Sequence, residues 1–342
     1  MSTVVIVGGG ITGLLTAVHC ARDGHRVTVV ERGPLPNPES SSFDQHRVLR
    51  APAPGSGPEL HQHWLRLQTL LGGRFYRRVG VVTGWPADRI GAAVRAARQA
   101  GVRLRVEAPD TLPHIVFPAG YVGVRELDAG VLLADRVLRA AVRWLRNQPG
   151  VMLRSGCEVS GVDTAAARVV LADGKVLAGD TVLVAAGIHT RELVPVPTVL
   201  YRQTVAYVHP PADLRTWWEH APSVGAAGTD GRRWLVPPGD GTLLKLSSSA
   251  LCRVVGTPHE STEPDRAAAH DCRESVLAQP HRYPIAALKH CHYTTDPRTG
   301  AGALDQLGPA VWARAATGGD GFRTAPLIAE RIAAVVRPGL AA

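Results

Sequence analysis

The chain lacks the cysteine pattern of a disulfide-bonded or zinc-binding protein. Its five cysteines are odd in number, lie far apart and form no CxxC pair. Disulfide frameworks use an even number of cysteines, and structural zinc sites use closely spaced pairs. We therefore expect neither. The cysteines are Cys20, Cys157, Cys252, Cys272 and Cys291.

Long apolar runs are also missing. No run reaches the roughly 18 residues that a membrane span needs, and the apolar start of the chain has no basic leader and is broken by glycines. We therefore expect a cytoplasmic protein without a membrane partner. Hydrophobic residues make up 45% and charged residues 20%, an ordinary globular composition, and 342 residues favour two domains.

Aromatic residues are scarce, at 5%, and the arginines are spread along the chain. The formal charge is nevertheless +9, with a pI of about 9.8. A nucleic-acid-binding surface would cluster its basic residues and interleave aromatics. We expect no nucleic-acid partner and interpret the charge as a field that attracts anionic cofactors or substrates.

The first thirty residues contain a dinucleotide-binding pattern. Gly8, Gly10 and Gly13 form G-x-G-x-x-G between a predicted strand at 4–7 and an amphipathic helix. The first glycine allows a tight turn, the second lets the backbone approach a pyrophosphate, and the third lets helix pack on strand. Glu31 ends the next predicted strand, where a carboxylate accepts hydrogen bonds from an adenosine ribose. This acid makes NADP the least expected dinucleotide.

Two further segments favour FAD over NAD. The apolar segment 180–190, DTVLVAAGIHT, is typical of a strand that returns to the nucleotide sheet beside the ligand. The segment 317–336 runs from a glycine-rich loop into an amphipathic helix, whose N-terminus attracts anionic groups. The alternative for this second segment is a plain packing helix.

The whole chain resembles the D-amino-acid oxidase superfamily, and within it the monomeric sarcosine oxidase branch. The resemblance extends over residues 3–336 and rests on nine sequence blocks that occur in order. They are GGGITGL (8–14), ESSSFDQHRVLR (39–50), GVVTG (80–84), LDAGVLLADRVLRAAVRWLR (127–146), VAAGIHTREL (184–193), YRQTVAYV (201–208), LLKLS (243–247), CHYTTDP (291–297) and GGDGFRTAPLIAE (318–330).

The resemblance implies an α/β fold with two domains, a Rossmann-like FAD-binding domain interleaved with a substrate domain on a mixed β-sheet. We assign 1–80, 128–197 and 287–342 to the FAD-binding domain, and 81–127 and 198–286 to the substrate domain. The Pro/Gly/Ser-rich stretches 34–42 and 51–58 are predicted surface loops, the first leading into a flavin loop.

The same resemblance implies a set of cofactor-binding residues. It also implies that Trp234, Ser249 and Tyr293 lie at the substrate. The expected FAD-binding residues are Gly8, Gly10, Ile11, Thr12, Gly13, Glu31, Arg32, Ser41, Ser42, Arg47, Val159, Ala186, Gly187, Cys291, Gly319, Asp320, Gly321, Phe322 and Arg323.

Basic residues are the expected catalytic set. Arginine suits a carboxylate because its fork binds both oxygens. By resemblance, Arg47 lies along the flavin, while Arg50 and Arg323 hold the substrate carboxylate; relatives usually carry lysine at the last position. Lys245 lies between leucines in an apolar strand and so points away from them. By resemblance it faces the flavin N5 and supports oxygen activation as a cation.

Two positions depart from the sarcosine-type pattern. Ser249 stands where such relatives usually carry histidine, and Trp234 stands where they often carry tyrosine. The substrate pocket is therefore reshaped. We expect a larger or cyclic amine, or a specialised biosynthetic amino acid derivative, instead of sarcosine.

Cys291 lies between His290 and His292, which leaves several roles open. Three consecutive strand residues cannot all face one ion, so we predict no metal site. An inert buried thiol is the main alternative, since free cysteine is commonly buried. The resemblance implies a third role, because this branch tethers its flavin through a cysteine thioether here.

The sequence therefore predicts a monomeric, FAD-dependent oxidase of an amine or amino acid that reduces O2 to hydrogen peroxide. One rival is a flavin dehydrogenase that uses another electron acceptor, against which Lys245 argues. A second rival is a non-catalytic FAD-bound scaffold, against which the basic residues argue.

Overall fold

The computed structural model describes residues 1–51, 59–260 and 263–336. Most of the predicted loop at 51–58, and residues 337–342 of the predicted FAD-binding domain, lie outside these ranges. The helices are α1 (Ile11–Arg22), α2 (Glu59–Leu71), α3 (Ile90–Gln99), α4 (Ala134–Arg146), α5 (Thr190–Leu193), α6 (Arg215–His220), α7 (Glu263–Val276) and α8 (Gly321–Val336).

The strands fall into two large sheets and two small ones. In chain order they are β1 (Thr3–Val7), β2 (Arg26–Glu31), β3 (Arg47–Leu49), β4 (Tyr76–Arg77), β5 (Val81–Pro86), β6 (Leu104–Glu107), β7 (Tyr121–Glu126), β8 (Gly130–Leu132), β9 (Val151–Ser155), β10 (Val159–Asp163), β11 (Arg168–Leu171), β12 (Val176–Ala178), β13 (Thr181–Val184), β14 (Val199–Val208), β15 (Ser223–Ala227), β16 (Arg233–Val236), β17 (Leu244–Ser248), β18 (Cys252–Val254), β19 (Ile285–Thr295), β20 (Asp305–Gly308) and β21 (Val311–Ala313).

A six-stranded sheet contains the dinucleotide pattern, in the order β20-β21-β13-β1-β2-β9. Strand β1 pairs in parallel with β2 and with β13. Val4 and Ile6 pack in the core with α1, α4 and α8, while Val5 and Val7 pack on the opposite face with residues of β11. Both faces are covered, which explains the unbroken apolar run of β1. The predicted strand–turn–helix–strand, the return of 180–190 to this sheet and the C-terminal helix are confirmed.

A nine-stranded mixed sheet forms the second layer. Its order is β18-β14-β17-β16-β15-β5-β7-β6, and β19 pairs with β14. On one face Leu244 and Leu246 pack with residues of α6 and α7 in a second core. The small sheets are β10-β11-β12 and β3-β8-β4. Two sheet layers with helices confirm the predicted α/β class.

Strand β19 is part of the nine-stranded sheet. Residues 285–295 pair antiparallel with β14 along its length. The alternation within β19 predicts a strand, but local sequence does not indicate which distant strand it pairs with. The domain boundaries drawn from the sequence, including the one at 287, stay predictions.

The loop at 34–42 also differs from a plain surface loop, because Leu35 and Asn37 are buried. Among the described residues, no helix has the length and apolar composition to cross a bilayer.

Candidate active site

A cavity of about 820 Å³ lies between the two large sheets. This volume is in the upper part of the roughly 300–1,000 Å³ range of ligand sites. Most of the predicted site residues line it. They are Gly8, Gly10, Ile11, Thr12, Glu31, Arg32, Ser41, Ser42, Arg47, Arg50, Val159, Ala186, Gly187, Trp234, Lys245, Ser249, Cys291, Tyr293, Gly319, Gly321, Phe322 and Arg323.

Two predicted cofactor residues lie behind the cavity wall. A Cβ on Gly13 would come within 2.0 Å of the Gly8 carbonyl oxygen, so this glycine permits helix–strand packing. Asp320 instead lies at the start of α8, where its backbone carbonyl oxygen accepts hydrogen bonds from the amide and the hydroxyl of Thr324. Both residues therefore support the wall without lining it.

The turn between β1 and α1 brings backbone close to the cavity. A Cβ on Gly8 would come within 2.3 Å of the Ala185 carbonyl oxygen, and Gly8 has a positive φ of 109°. Gly10, the N-cap of α1, has no side chain to cap the helix. The Ser42 hydroxyl accepts a 3.0 Å hydrogen bond from the Ile11 amide. The helix N-terminus thus faces the cavity, where it favours an anionic group.

Glu31 is fixed before any ligand arrives. One carboxylate oxygen accepts a 2.7 Å hydrogen bond from the Gly9 amide. The other accepts bonds from the Gly33 amide at 3.0 Å and from the Asn37 side chain at 2.9 Å. These bonds hold the carboxylate at the cavity wall, in position to accept from a ribose hydroxyl.

A buried charge network forms the wall between the two sheets. At its centre is Asp44, whose side chain is fully buried. Its carboxylate accepts hydrogen bonds from Arg47, from the Tyr207 hydroxyl and from Lys245, whose Nζ lies 2.6 Å away. Sequence analysis did not single out Asp44, although it lies in the 39–50 block three residues before Arg47.

Lys245 is buried, with 4% of its surface exposed, and is not a solvent-facing strand lysine. Its Nζ lies 5.9 Å from the Trp234 ring centroid and 6.0 Å from that of Tyr207. Burial, with the nearby Arg47 cation, lowers the pKa of Lys245 well below its ordinary value. The predicted orientation, opposite to Leu244 and Leu246, is confirmed by these contacts.

His46 lies beside this network and was also missed. Its Nε2 bonds to the Leu243 carbonyl oxygen at 2.9 Å, and its ring stacks on that of Tyr207. Burial, together with the Lys245 cation, lowers the pKa of His46 to about 3. The ring is therefore neutral at physiological pH and completes the wall without adding charge.

Cys291 faces the same network. Its Sγ lies 3.9 Å from the Asp44 carboxylate. Burial raises the pKa of this thiol, but the Arg47, Lys245 and Lys289 cations outweigh burial and bring the pKa below its ordinary value. A larger thiolate fraction makes such a thiol more reactive.

His290, the residue before Cys291, contacts the other side of the sheet. His290 contacts the Thr204 hydroxyl at 3.0 Å and Asp265 at 3.7 Å. Among the described residues, no group of three or more His, Cys, Asp or Glu side chains is arranged to hold a metal.

Arg50 and Arg323 line the cavity away from the dinucleotide turn. Burial, together with the Arg50 cation, lowers the pKa of Arg323 from its ordinary value. Arg323 also lies 3.6 Å from Asp320. Burial raises the pKa of the neighbouring Glu126, and these two arginines oppose that rise. The pair forms a positive end to the cavity.

The remaining predicted substrate residues surround this end on the nine-stranded sheet. Trp234 pairs with Ser247 across β16 and β17. Ser249 directly follows the end of β17, and its hydroxyl accepts a 3.3 Å hydrogen bond from the Nε of Arg232. Tyr293 stacks on Tyr201 at 5.2 Å between ring centroids. Arg232 also lines the cavity and was not predicted from the sequence.

Residues 3–335 match the DAO family, described as FAD dependent oxidoreductase. The chain belongs to this family. The predicted membership and the prediction that the protein is a flavoenzyme are confirmed.

Curated relatives of this FAD dependent oxidoreductase include an N-methyl-L-tryptophan oxidase and two sarcosine oxidases. It is 27% identical over 289 residues to N-methyl-L-tryptophan oxidase of Citrobacter koseri, covering 80% of this chain and 76% of the relative. It is 26% identical over 203 residues to human peroxisomal sarcosine oxidase, covering 55% of this chain and 51% of the relative. The match to the mouse sarcosine oxidase spans 38% of that protein. The chain thus spans about half or less of the sarcosine oxidases it matches.

Solved structures confirm the two-domain flavoprotein fold. NikD, described as an unusual amino acid oxidase essential for nikkomycin biosynthesis, superimposes with a TM-score of 0.80 at 18% identity, covering 100% of this chain and 95% of NikD. Amadoriase II of Aspergillus fumigatus gives a TM-score of 0.78 at 18% identity, covering 98% and 85% of the two chains. At this identity the likeness shows the fold alone.

The cavity fits FAD by its own donors and acceptors. The α1 N-terminus suits a pyrophosphate, and the fixed Glu31 carboxylate suits a ribose. Within 4 Å a Cβ on Gly10 would meet only the Ser42 and Ser40 hydroxyls, so the backbone there is open to a close ligand. Residues Gly8–Thr12, Glu31 and Ser42 would hold the adenine dinucleotide half, and Arg47, Lys245 and Cys291 would lie at the flavin half.

Proposed function

We propose that the protein is an FAD-dependent oxidase of a secondary or cyclic amine, or an amino acid, that carries a carboxylate. The products are an imine and hydrogen peroxide. The observation that carries the proposal is a single cavity that runs from the Gly8–Gly13 turn to the Arg50 and Arg323 pair, with Lys245 in its wall.

When bound, FAD accepts a hydride equivalent from the carbon next to the substrate nitrogen and passes electrons to O2. The protein must bind the substrate, orient that carbon and exclude water. Arg50 and Arg323 supply the binding contact, because two guanidinium groups close together match the two oxygens of a carboxylate.

Side chains of the same cavity as the carboxylate clamp shape the substrate pocket. Trp234 supplies a large flat surface, and Ser249 with Arg232 supplies hydrogen-bond donors. A serine where sarcosine-type enzymes usually carry histidine leaves more room. This supports a substrate larger than sarcosine, such as a cyclic amine or an N-substituted amino acid. The name of one curated relative, N-methyl-L-tryptophan oxidase, is consistent with this class. We also propose a place in a specialised biosynthetic pathway.

Lys245 is the residue proposed to act on O2. A buried cation at the cavity wall stabilises negative charge that develops on oxygen. Its burial and its contact with the network are the support for this role. The electron acceptor itself is part of the proposal.

Cys291 is proposed to hold the flavin as a thioether. The support is a thiol with lowered pKa that faces the cavity beside three cations. The cytoplasmic location and the monomeric state stay predictions.

One experiment separates this proposal from its rivals. The purified protein is mixed anaerobically with a panel of amines, with and without a carboxylate, and the flavin absorbance is followed. Substrates should bleach the flavin, and readmitted air should restore the colour with one hydrogen peroxide per cycle. Bleaching without reaction with air would indicate a dehydrogenase. A flavin that no amine bleaches would support the scaffold alternative.

A further inference from the structure

Asp44 is the most connected buried carboxylate of the cavity wall. Its side chain is 0% exposed, and it lies between the loop that follows Ser42 and the nine-stranded sheet. Four donors reach it besides the Cys291 thiol, namely Arg47, Lys245, Tyr207 and the Gln45 amide at 2.7 Å. Hydrogen bonds from these donors favour the ionised form of the carboxylate.

Lys245 is surrounded by two cations and several uncharged side chains, besides Asp44. Arg47 lies on β3 and Lys289 on β19, and both cations disfavour a positive charge on Lys245. Tyr207 on β14 and Trp234 on β16 present aromatic rings, and Cys291 presents a thiol. The neighbouring His46 is neutral, and its backbone carbonyl oxygen accepts a 3.4 Å hydrogen bond from Lys245.

Among the described residues, Asp44 is the carboxylate in contact with Lys245. A buried amine without a counter-charge gives up its proton, because desolvation disfavours the ammonium form. We propose that Asp44 is a positioning residue that keeps Lys245 an ammonium ion in the wall of the cavity. Burial and the Arg47 cation disfavour the charge of Lys245, and the support for the proposal is the 2.6 Å contact between its Nζ and the buried Asp44 carboxylate, which opposes both.

The consequence for catalysis rests on the proposed oxidase function. If Lys245 assists O2 as a cation, Asp44 sets the pH range over which that assistance is available. Asp44 acts through Lys245 and need not touch the substrate.

The chain allows a direct measurement, because it contains only three lysines, Lys175, Lys245 and Lys289. Protein grown with 13C-labelled lysine gives three Cε signals, whose chemical shifts report protonation. Lys175 is exposed, and single substitutions of Lys175 and Lys289 assign the third signal to Lys245. In the purified native protein with its flavin, the Lys245 signal should keep the ammonium shift through neutral pH.

Asp44→Asn is the test variant, because asparagine keeps the shape and an acceptor for the Gln45 amide but removes the charge. Its Lys245 signal should titrate at lower pH than in the native protein. Asp265→Asn is the matched control. Asp265 is also buried, and it pairs with Arg202 and Arg253 at 3.2 Å. It contacts His290 instead of Cys291, so the loss of its charge should leave the titration midpoint of Lys245 unchanged.

A kinetic measurement gives the functional readout. The flavin is photoreduced without substrate, and its reoxidation by O2 is followed from pH 6 to 9. For Asp44→Asn the rate should fall by about tenfold or more as the pH rises through the lowered Lys245 midpoint, as expected for loss of one stabilising charge. The native rate should change little over that range.

Two results would overturn the proposal. One is an equal Lys245 midpoint in native protein and Asp44→Asn. The other result would come from the native protein alone: a Lys245 Cε chemical shift that corresponds to the neutral amine at pH 7. A native flavin that does not react with O2 would instead refute the proposed oxidase function, and the lysine titration would still decide the role of Asp44.

Discussion

Replacing Arg323 with alanine tests the proposed carboxylate clamp most directly. Arg323 lies in the first turn of α8, and 20% of its side chain is exposed. Its Nε has no hydrogen-bond partner among the described residues, and its contact with Asp320 is long at 3.6 Å. The guanidinium is therefore positioned at the cavity with donors to offer a ligand.

The magnitude follows from the loss of one buried charge partner. Truncating one member of a hydrogen-bonded charge pair costs about 2 to 4 kcal/mol at a protected site. Each 1.36 kcal/mol is about tenfold in rate, so kcat/KM should fall by about 30- to 1,000-fold for an acidic substrate. The loss should lie nearer the lower figure because Arg50 still contacts the carboxylate.

The assay compares two substrates in one variant. An amino acid found in the amine panel is tested beside its carboxylate-free amine, and kcat/KM is measured for both. Arg323→Ala should reduce the first far more than the second. Arg331→Ala is the control, since Arg331 is an exposed arginine of the same helix, and it should leave both values within about twofold of the native protein.

Equal losses on both substrates would refute the clamp. They would show that Arg323 supports the cavity or the flavin instead of the substrate. A loss confined to the carboxylate-free amine would contradict the reasoning more strongly, because it would place the amine at this end of the cavity.

Four further predictions concern the cofactor and its wall. The purified protein should be yellow and contain FAD with adenine; a colourless protein that refuses added FAD would contradict the assignment of Glu31. Denatured protein should keep its colour with a mass increase of about one FAD, whereas Cys291→Ser should release its flavin into acid; complete release from native protein would leave Cys291 an inert thiol. Gly13→Ala should lower both Tm and flavin content because its Cβ would meet the Gly8 carbonyl at 2.0 Å, while Gly161→Ala, with nothing within 4 Å, should not. Lowering the pH to 5 should reduce the free energy of unfolding by about 2 kcal/mol through His46, because its pKa is lowered to about 3 in the folded protein and the unfolded chain takes up the proton near pH 6.5. Urea midpoints that fall equally with pH in native protein and in His46→Gln would contradict this.

The strand–turn–helix–strand unit at the start of the chain was predictable because its signals are local. Gly8, Gly10, Gly13 and Glu31 fall within one strand–helix–strand unit, so spacing alone indicates their roles. The structure adds that Glu31 is already hydrogen-bonded by Gly9 and Asn37.

The alternation within strands predicted side-chain directions correctly. Lys245 points away from its leucines, and Cys291 faces away from His290. Period-2 alternation is a property of the strand itself and needs no knowledge of its partners.

What the sequence did not predict depends on long-range contacts. Asp44 and Lys245 are 201 positions apart, and Asp44 and Cys291 are 247 positions apart. No local pattern connects them, so Asp44 looked like an ordinary loop acid. The pairing of β19 with β14 could not be predicted for the same reason.

The long pairing of β14 with β19 has a consequence for assembly. Cys291 lies opposite Gln203 in that register, and a slip by one residue would turn the thiol to the other face of the sheet. The residues that would hold the adenine half of FAD, Gly8–Thr12, Glu31 and Ser42, lie in contrast within the first part of the chain. A thioether at Cys291 can then form only in a molecule whose distant segments have all reached their native places. Flavin that stays attached after denaturation would therefore show that the molecule carrying it had once folded completely.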